Sequence, residues 1–155
     1  ATLGDIEIDP NGLARDDWLD LLMTHRLQPG FDRDGILVVY DYPPSQCALA
    51  KLRAGPDGEA AVAERFELYF GPLELANGYH ELTAAPEQRA RFLRDHVVRG
   101  ERGAVRPPPD EALLAAIAAG LPACAGVALG IERLLMAMLG TDRIADVLAF
   151  DSSRA

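Results

Sequence analysis

The stretch Phe66–Thr83, FELYFGPLELANGYHELT, decides how this chain folds. Phe66, Leu68 and Phe70 alternate with Arg65, Glu67 and Tyr69, the period of a β-strand with one apolar face. Gly71-Pro72 supplies a turn, and a second strand returns through Leu73 and Glu74. Glutamate is a poor strand former, yet Glu67, Glu74 and Glu81 recur here at steps of seven. With an even-length loop, Tyr69 faces Glu74 and Glu67 faces Ala76. Glu67 and Glu74 are then diagonal neighbours on one face, roughly 7–8 Å apart at the backbone. Two carboxylates about 6 Å apart repel by roughly 3 kcal/mol at an effective dielectric near 20. Arg65 with solvent is one source of compensating charge. A divalent cation shared with substrate phosphates, the magnesium pattern, is the other.

The register stays open at this level. Pro72 is an awkward second central residue for a two-residue turn, and an odd-length loop would part the two glutamates. Simple alternation also sends Asn77 to the face away from Glu74. A single site using both therefore needs a bulge or twist near Gly78, a residue that also suits a turn or a close backbone approach.

Working outward, Trp18, Leu21, Leu22 and His25 form one stripe of an amphipathic helix over 16–27, ended by Pro29-Gly30. GILVVYDYPP reads as a buried strand stopped by Pro43 and Pro44. Gly55, Pro56, Asp57 and Gly58 make a loop. Thr83 is placed to cap a helix from about Pro86 to Arg99, with Gln88, Arg89, Arg91 and Arg94 on its solvated face. Asp110 to Ala119 is an alanine-rich helix stopped by Gly120. AGVALG is a short apolar strand, followed by a helix with Ile131, Leu134, Leu135 and Met138 on one stripe and Gly140 at its end. Residues 1–10 are polar and turn-rich.

Composition narrows the function classes. The 155 residues, 49% hydrophobic and 25% charged, fit one domain with its own core. A net charge of −9 repels phosphate backbones, so unaided nucleic-acid binding is not expected. No apolar run reaches membrane-spanning length. Cys47 and Cys124 lie far apart without a CxxC pattern, which favours a reducing, cytoplasmic setting. The chain begins at Ala1, as a trimmed piece of something longer would.

Three further features bear on chemistry. In GVALGIERLLM, Gly126 and Gly130 permit close backbone approach, and Arg133 in the first helical turn can stack on a base or bind phosphate. An early-helix arginine is otherwise a solvated residue. His80, between Tyr79 and Glu81, suits either a ligand or base role or a hydrogen-bonded structural one. HExxH, Ser/His/Asp and P-loop patterns are absent.

ERFELYF…ELANGYHELT, then QRARF, then GLPACAGVALGIERLLM and VLAF, resemble the C-terminal half of the class II lysyl-tRNA synthetase catalytic core. The resemblance runs from about Tyr42 to Phe150. His80 and Ala128 stand where a lysyl-tRNA synthetase usually has serine and glycine. In both, the chain is similar to the short paralogues that attach β-lysine to a lysine of elongation factor P. The family implies an α+β fold, an antiparallel sheet of six or seven strands flanked by helices. It also implies ATP-dependent activation of lysine or β-lysine as an adenylate. Carried over residue by residue, Glu67 and Glu74 match the carboxylates that hold Mg2+ on the ATP phosphates. Arg133 matches the motif 3 arginine that packs on adenine and contacts phosphate, with Gly130 before it. Asn77 and Glu81 match the residues that receive the substrate carboxylate and side-chain amine. Gly126 and Ala128 line the substrate wall, and the Ala128 methyl shifts preference toward the β-isomer. Glu132 replaces the usual aspartate of motif 3.

Motif 1, the family's homodimer interface, and motif 2 are not found in residues 1–155, and neither is an anticodon-binding domain. The resemblance therefore implies the C-terminal part of a catalytic domain, inactive by itself, with no direct tRNA binding. The alternatives are a fragment of a genuine lysyl-tRNA synthetase, or a module that keeps the fold without catalysis.

Overall fold

The computed structural model describes residues 11–55 and 61–151. The turn-rich start at 1–10, most of the loop expected at 55–58 and the last four residues lie outside that range.

Among the described residues, four α-helices and a five-stranded antiparallel sheet make an α+β fold. The sheet comprises β1 (Ile36–Tyr42), β2 (Leu52–Arg53), β3 (Val62–Phe70), β4 (Leu73–His80) and β5 (Ala125–Leu129). Its order is β1-β3-β4-β5, with β2 paired to the start of β3. The hairpin of β3 and β4 is thus the centre of the sheet. Around it lie α1 (Arg15–Leu22), α2 (Ala85–Glu101), α3 (Glu111–Ala118) and α4 (Ile131–Leu139).

The turn is the two-residue one: Phe70 pairs with Leu73 and Tyr69 with Glu74. Gly71 adopts φ 53°, the left-handed conformation that an ordinary side chain resists. Beyond Tyr69 the regular pairing fails. Leu68 faces Ala76 and Glu67 faces Asn77, so the expected Glu67–Ala76 pairing is wrong by one residue. Leu75 is the extra residue of a β-bulge, three positions before Gly78. Gly78 serves close packing instead: a Cβ there would overlap the Phe66 ring that lies across it.

Several local expectations change. The helix over 16–27 is α-helical only to Leu22, then passes through a π-helical turn at Met23–Leu27 and a 3-10 turn at Gln28–Gly30. β1 forms where expected but is an edge strand, with Ile36 71% and Tyr40 68% exposed, because nothing among the described residues covers its outer face. Ala84, not Thr83, occupies the N-cap of α2, and Pro86 sits in its first turn. Gln88 and Arg91 are buried, against their assignment to a solvated face. The Arg91 guanidinium donates to Ala48 O (3.0 Å), Ala50 O (2.7 Å) and Glu87, which replaces the water it loses. On α4, three of the four expected stripe residues, Ile131, Leu135 and Met138, are exposed, Leu134 is half-buried, and Met136 is the buried residue. Gly140 ends that helix with φ 65°. Asp110 caps α3, its carboxylate accepting from Leu113 N at 2.9 Å.

Candidate active-site face

The bulge determines what shares a face. Before it, Glu74 lies opposite Tyr69; after it, Asn77 lies opposite Glu67 and Tyr79 opposite Arg65. The extra residue reverses the alternation between Glu74 and Asn77, so both point to the side of Glu67. On β5, Ala128 pairs with Asn77 and Gly126 with Tyr79. Glu67, Glu74, Asn77, Gly126 and Ala128 therefore lie on one face of three adjacent strands. Glu81, just past β4, joins them: its carboxylate lies over Gly126, where a Cβ would overlap Oε1.

The end of β5 clamps the bulge. Gly130 N donates to Leu75 O at 2.9 Å, and Arg133 Nη1 donates to Glu74 O at 2.9 Å. The same nitrogen lies 3.3 Å from Glu74 Oε2. Two backbone carbonyls at the bulge, Glu74 O and Leu75 O, thus accept from the β5–α4 junction. Arg133 lies beside Glu74.

Arg65 has a larger part than its sequence position indicated. Its guanidinium pairs with Glu67 and donates to Gln46 O at 3.0 Å, with a longer contact to Asn77 Oδ1 at 3.4 Å. Its Cζ lies 4.4 Å from the centroid of the Tyr42 ring and 6.0 Å from that of Tyr79. Tyr69 donates its hydroxyl to the second Glu67 oxygen. Burial first, and then the hydrogen bond to Glu67, pushes the Tyr69 phenol well above its ordinary range. Tyr42 is pushed up in the same way, by burial and then by the Glu67 carboxylate. The Tyr42 hydroxyl is itself buried and meets no hydrogen-bonding partner at bonding geometry among the described residues. Tyr42 escaped the sequence reading because Asp41, at φ 60°, interrupts the alternation of β1 and turns Tyr42 toward Arg65.

An open cleft of about 620 Å³ runs along this face, between the sheet and the first helical segment. Tyr42, Arg65, Glu67, Tyr69 and Glu74 line it, opposite Leu19, Leu22 and Met23. Asn77, Glu81, Gly126 and Ala128 share the sheet face without lining this cleft. His80 is on the other face of β4, held by Glu64 and Lys51.

The donor set suits magnesium shared with a phosphate-bearing substrate. Glu67 and Glu74 offer hard carboxylate oxygens, and among the described residues no group of three acidic, histidine or cysteine side chains forms a metal cage. An ionised carboxylate has about four lone-pair sites, so Glu67 keeps coordinating capacity beside Arg65 and Tyr69.

Comparison with known proteins gives the family. The model for tRNA synthetases class II (D, K and N) matches residues 20–154. The chain belongs to the class II tRNA synthetase family. Its five-stranded α+β fold is a partial version of that domain. Among curated proteins, elongation factor P (R)-β-lysine ligase of Salmonella gallinarum is 47% identical over 141 residues, which is 91% of this chain and 42% of the relative. The protein of the same name from Salmonella dublin is 48% identical with the same coverage. The chain thus spans about 42% of the length of the relatives it matches. No helix among the described residues is long and apolar enough to cross a membrane.

Proposed function

We propose that this chain is the C-terminal part of a cytoplasmic ATP-dependent ligase that activates lysine or β-lysine as an adenylate. Elongation factor P, through one of its lysines, is the proposed acceptor. The observation that carries this reading is the Leu75 bulge, which gathers Glu67, Glu74, Asn77, Gly126 and Ala128 onto one face beside Arg133. The names of the relatives support the β-lysine substrate and this acceptor over a fragment of a genuine lysyl-tRNA synthetase.

In this reading Glu67 and Glu74 hold Mg2+, which when bound offsets the charge of the ATP phosphates. Arg133 packs against the adenine and contacts phosphate, with Gly130 leaving room for the backbone to approach. Asn77 receives the substrate carboxylate. Glu81 receives its ammonium group through a charge-assisted hydrogen bond, which discriminates strongly in a closed pocket. Gly126 leaves space for that carboxylate, and the Ala128 methyl narrows the pocket in favour of the β-isomer. Positioning and charge compensation do the work, without a protein nucleophile. Alone, these residues lack the family's motifs 1 and 2, so catalysis belongs to the longer homodimeric protein.

A second reading, a class II-fold module without catalysis, has one observation in its favour. Arg65 and Arg133 already compensate Glu67 and Glu74. Thermal melting with and without magnesium-ATP separates the two readings. Ligand at about 100 times its dissociation constant stabilises by about 2.7 kcal/mol, so an upward shift that Glu74→Gln removes is the expected result. No shift, or an equal shift in the variant, rejects the metal-nucleotide assignment for this chain.

A further inference from the structure

Lys51 is the only lysine in the chain, against fourteen arginines. It does not sit on an open charged surface. Its backbone is fixed between two strands: Lys51 N donates to His80 O at 2.8 Å, and Lys51 O accepts from Glu64 N at 2.9 Å. Its Nζ lies 3.3 Å from His80 Nε2, while His80 Nδ1 lies 2.6 Å from Glu64 Oε2. The partners assign the tautomer. An ionised carboxylate only accepts, so Nδ1 carries the proton and Nε2 turns its lone pair to the lysine amine. Glu64 is held in turn by Arg53, which also pairs with Asp41. The His80 side chain is 43% exposed, which leaves the pair open to a small reagent from solvent.

An amine facing the free nitrogen of an imidazole, itself oriented by a carboxylate, is the arrangement of an activated nucleophile and its base. Nothing in the nucleotide-face chemistry uses it, because His80 and Glu64 lie on the opposite face of the sheet. We propose that Lys51 is an acyl-acceptor site, modified on Nζ by mixed acyl–phosphoric anhydrides such as acyl phosphates and acyl adenylates. From its ammonium form, Nζ first gives one proton to His80 Nε2 and through it to water, and the lone pair so exposed attacks the carbonyl carbon as the N–C bond forms. The bond from that carbon to the phosphoryl oxygen breaks, and the phosphate or nucleoside monophosphate leaves with the electron pair. The second proton, lost from the nitrogen once the N–C bond has formed, passes by the same route to His80 Nε2 and then to water, with Glu64 stabilising the imidazolium each time. No oxidant or reductant takes part. The product, an Nζ-acyl lysine, has lost its positive charge.

The single lysine makes the test clean. The chain is incubated with acetyl phosphate, and the adduct is followed by intact mass and peptide mapping. The expected result is one acetyl group on Lys51, added about tenfold or more faster in the folded chain than in concentrated urea. His80→Gln should bring the folded rate down to the urea rate, and Lys51→Arg should leave only the slower α-amino reaction. Glu64→Gln should lower the rate too, and decides the matter if circular dichroism shows that the histidine variant is unfolded. Equal folded and unfolded rates overturn the proposal. So does an unchanged rate in a folded His80→Gln or Glu64→Gln variant, or label confined to the α-amine. Because acetyl phosphate needs no nucleotide site, the result is independent of the magnesium-ATP reading.

Discussion

Gly78 and Gly126 show how far individual atoms decide the site. Each glycine leaves room for one neighbour: the Phe66 ring over Gly78 and the Glu81 carboxylate over Gly126. A methyl at residue 78 also meets Gly126 O at 3.0 Å, so neither side can yield freely. Gly78→Ala should therefore destabilise the chain by about 1–3 kcal/mol through overpacking, read as a lower urea midpoint at unchanged slope. An unchanged midpoint would mean that Phe66 moves aside at no cost. The two tyrosines around Glu67 make a pH prediction. Burial holds both phenols protonated in the folded state to a higher pH than in the unfolded chain, where they ionise near 10. Their contribution is complete below about pH 10 and is lost as pH rises through the higher folded values. Urea midpoints should be flat on their account up to about pH 10 and fall above it, and Tyr69→Phe should soften that fall. An identical alkaline limb in the variant would remove Tyr69 from the explanation.

At the level of elements, ends and faces were not equally readable. Asp110 and Gly120 bracket α3 as their side-chain chemistry dictates, because a cap acts within one turn of its own helix. Asp110→Ala should cost about 1 kcal/mol, measured by denaturant melts. A change within error would show that α3 is held by packing alone. Faces are different. Arg91 looks solvated in sequence, yet it is buried by acceptors from residues 48 and 50, about forty positions away. The stripe of Ile131, Leu134, Leu135 and Met138 looks like a core, yet all but the half-buried Leu134 are exposed. Periodicity shows that a helix has two faces, but which one is buried depends on what packs against it.

At the scale of the molecule, many large apolar side chains among the described residues are exposed. Ile36, Val38 and Tyr40 on β1 and Val127 and Leu129 on β5 are all exposed, at the two outer strands of the main sheet. Uncovered apolar strands at a sheet edge are templates for association. The isolated chain should self-associate in sedimentation velocity, and Val38→Lys with Val127→Lys should shift it toward monomer. A monomer at all concentrations would show that these edges are protected in solution. The net charge of −9 opposes association, so added salt should strengthen it by screening.

The sequence by itself determined the hairpin, the positions of most helices and the family, because period and motif spacing are local properties, while the length of the turn was left to the structure. It also named Glu67, Glu74, Asn77, Glu81, Gly126, Ala128 and Arg133. Whether those residues share a face was a different kind of question. A one-residue change in register moves every later side chain to the other side of a sheet. Only the tertiary structure put that extra residue at Leu75, where Gly130 N and Arg133 Nη1 donate to the carbonyls of Leu75 and Glu74.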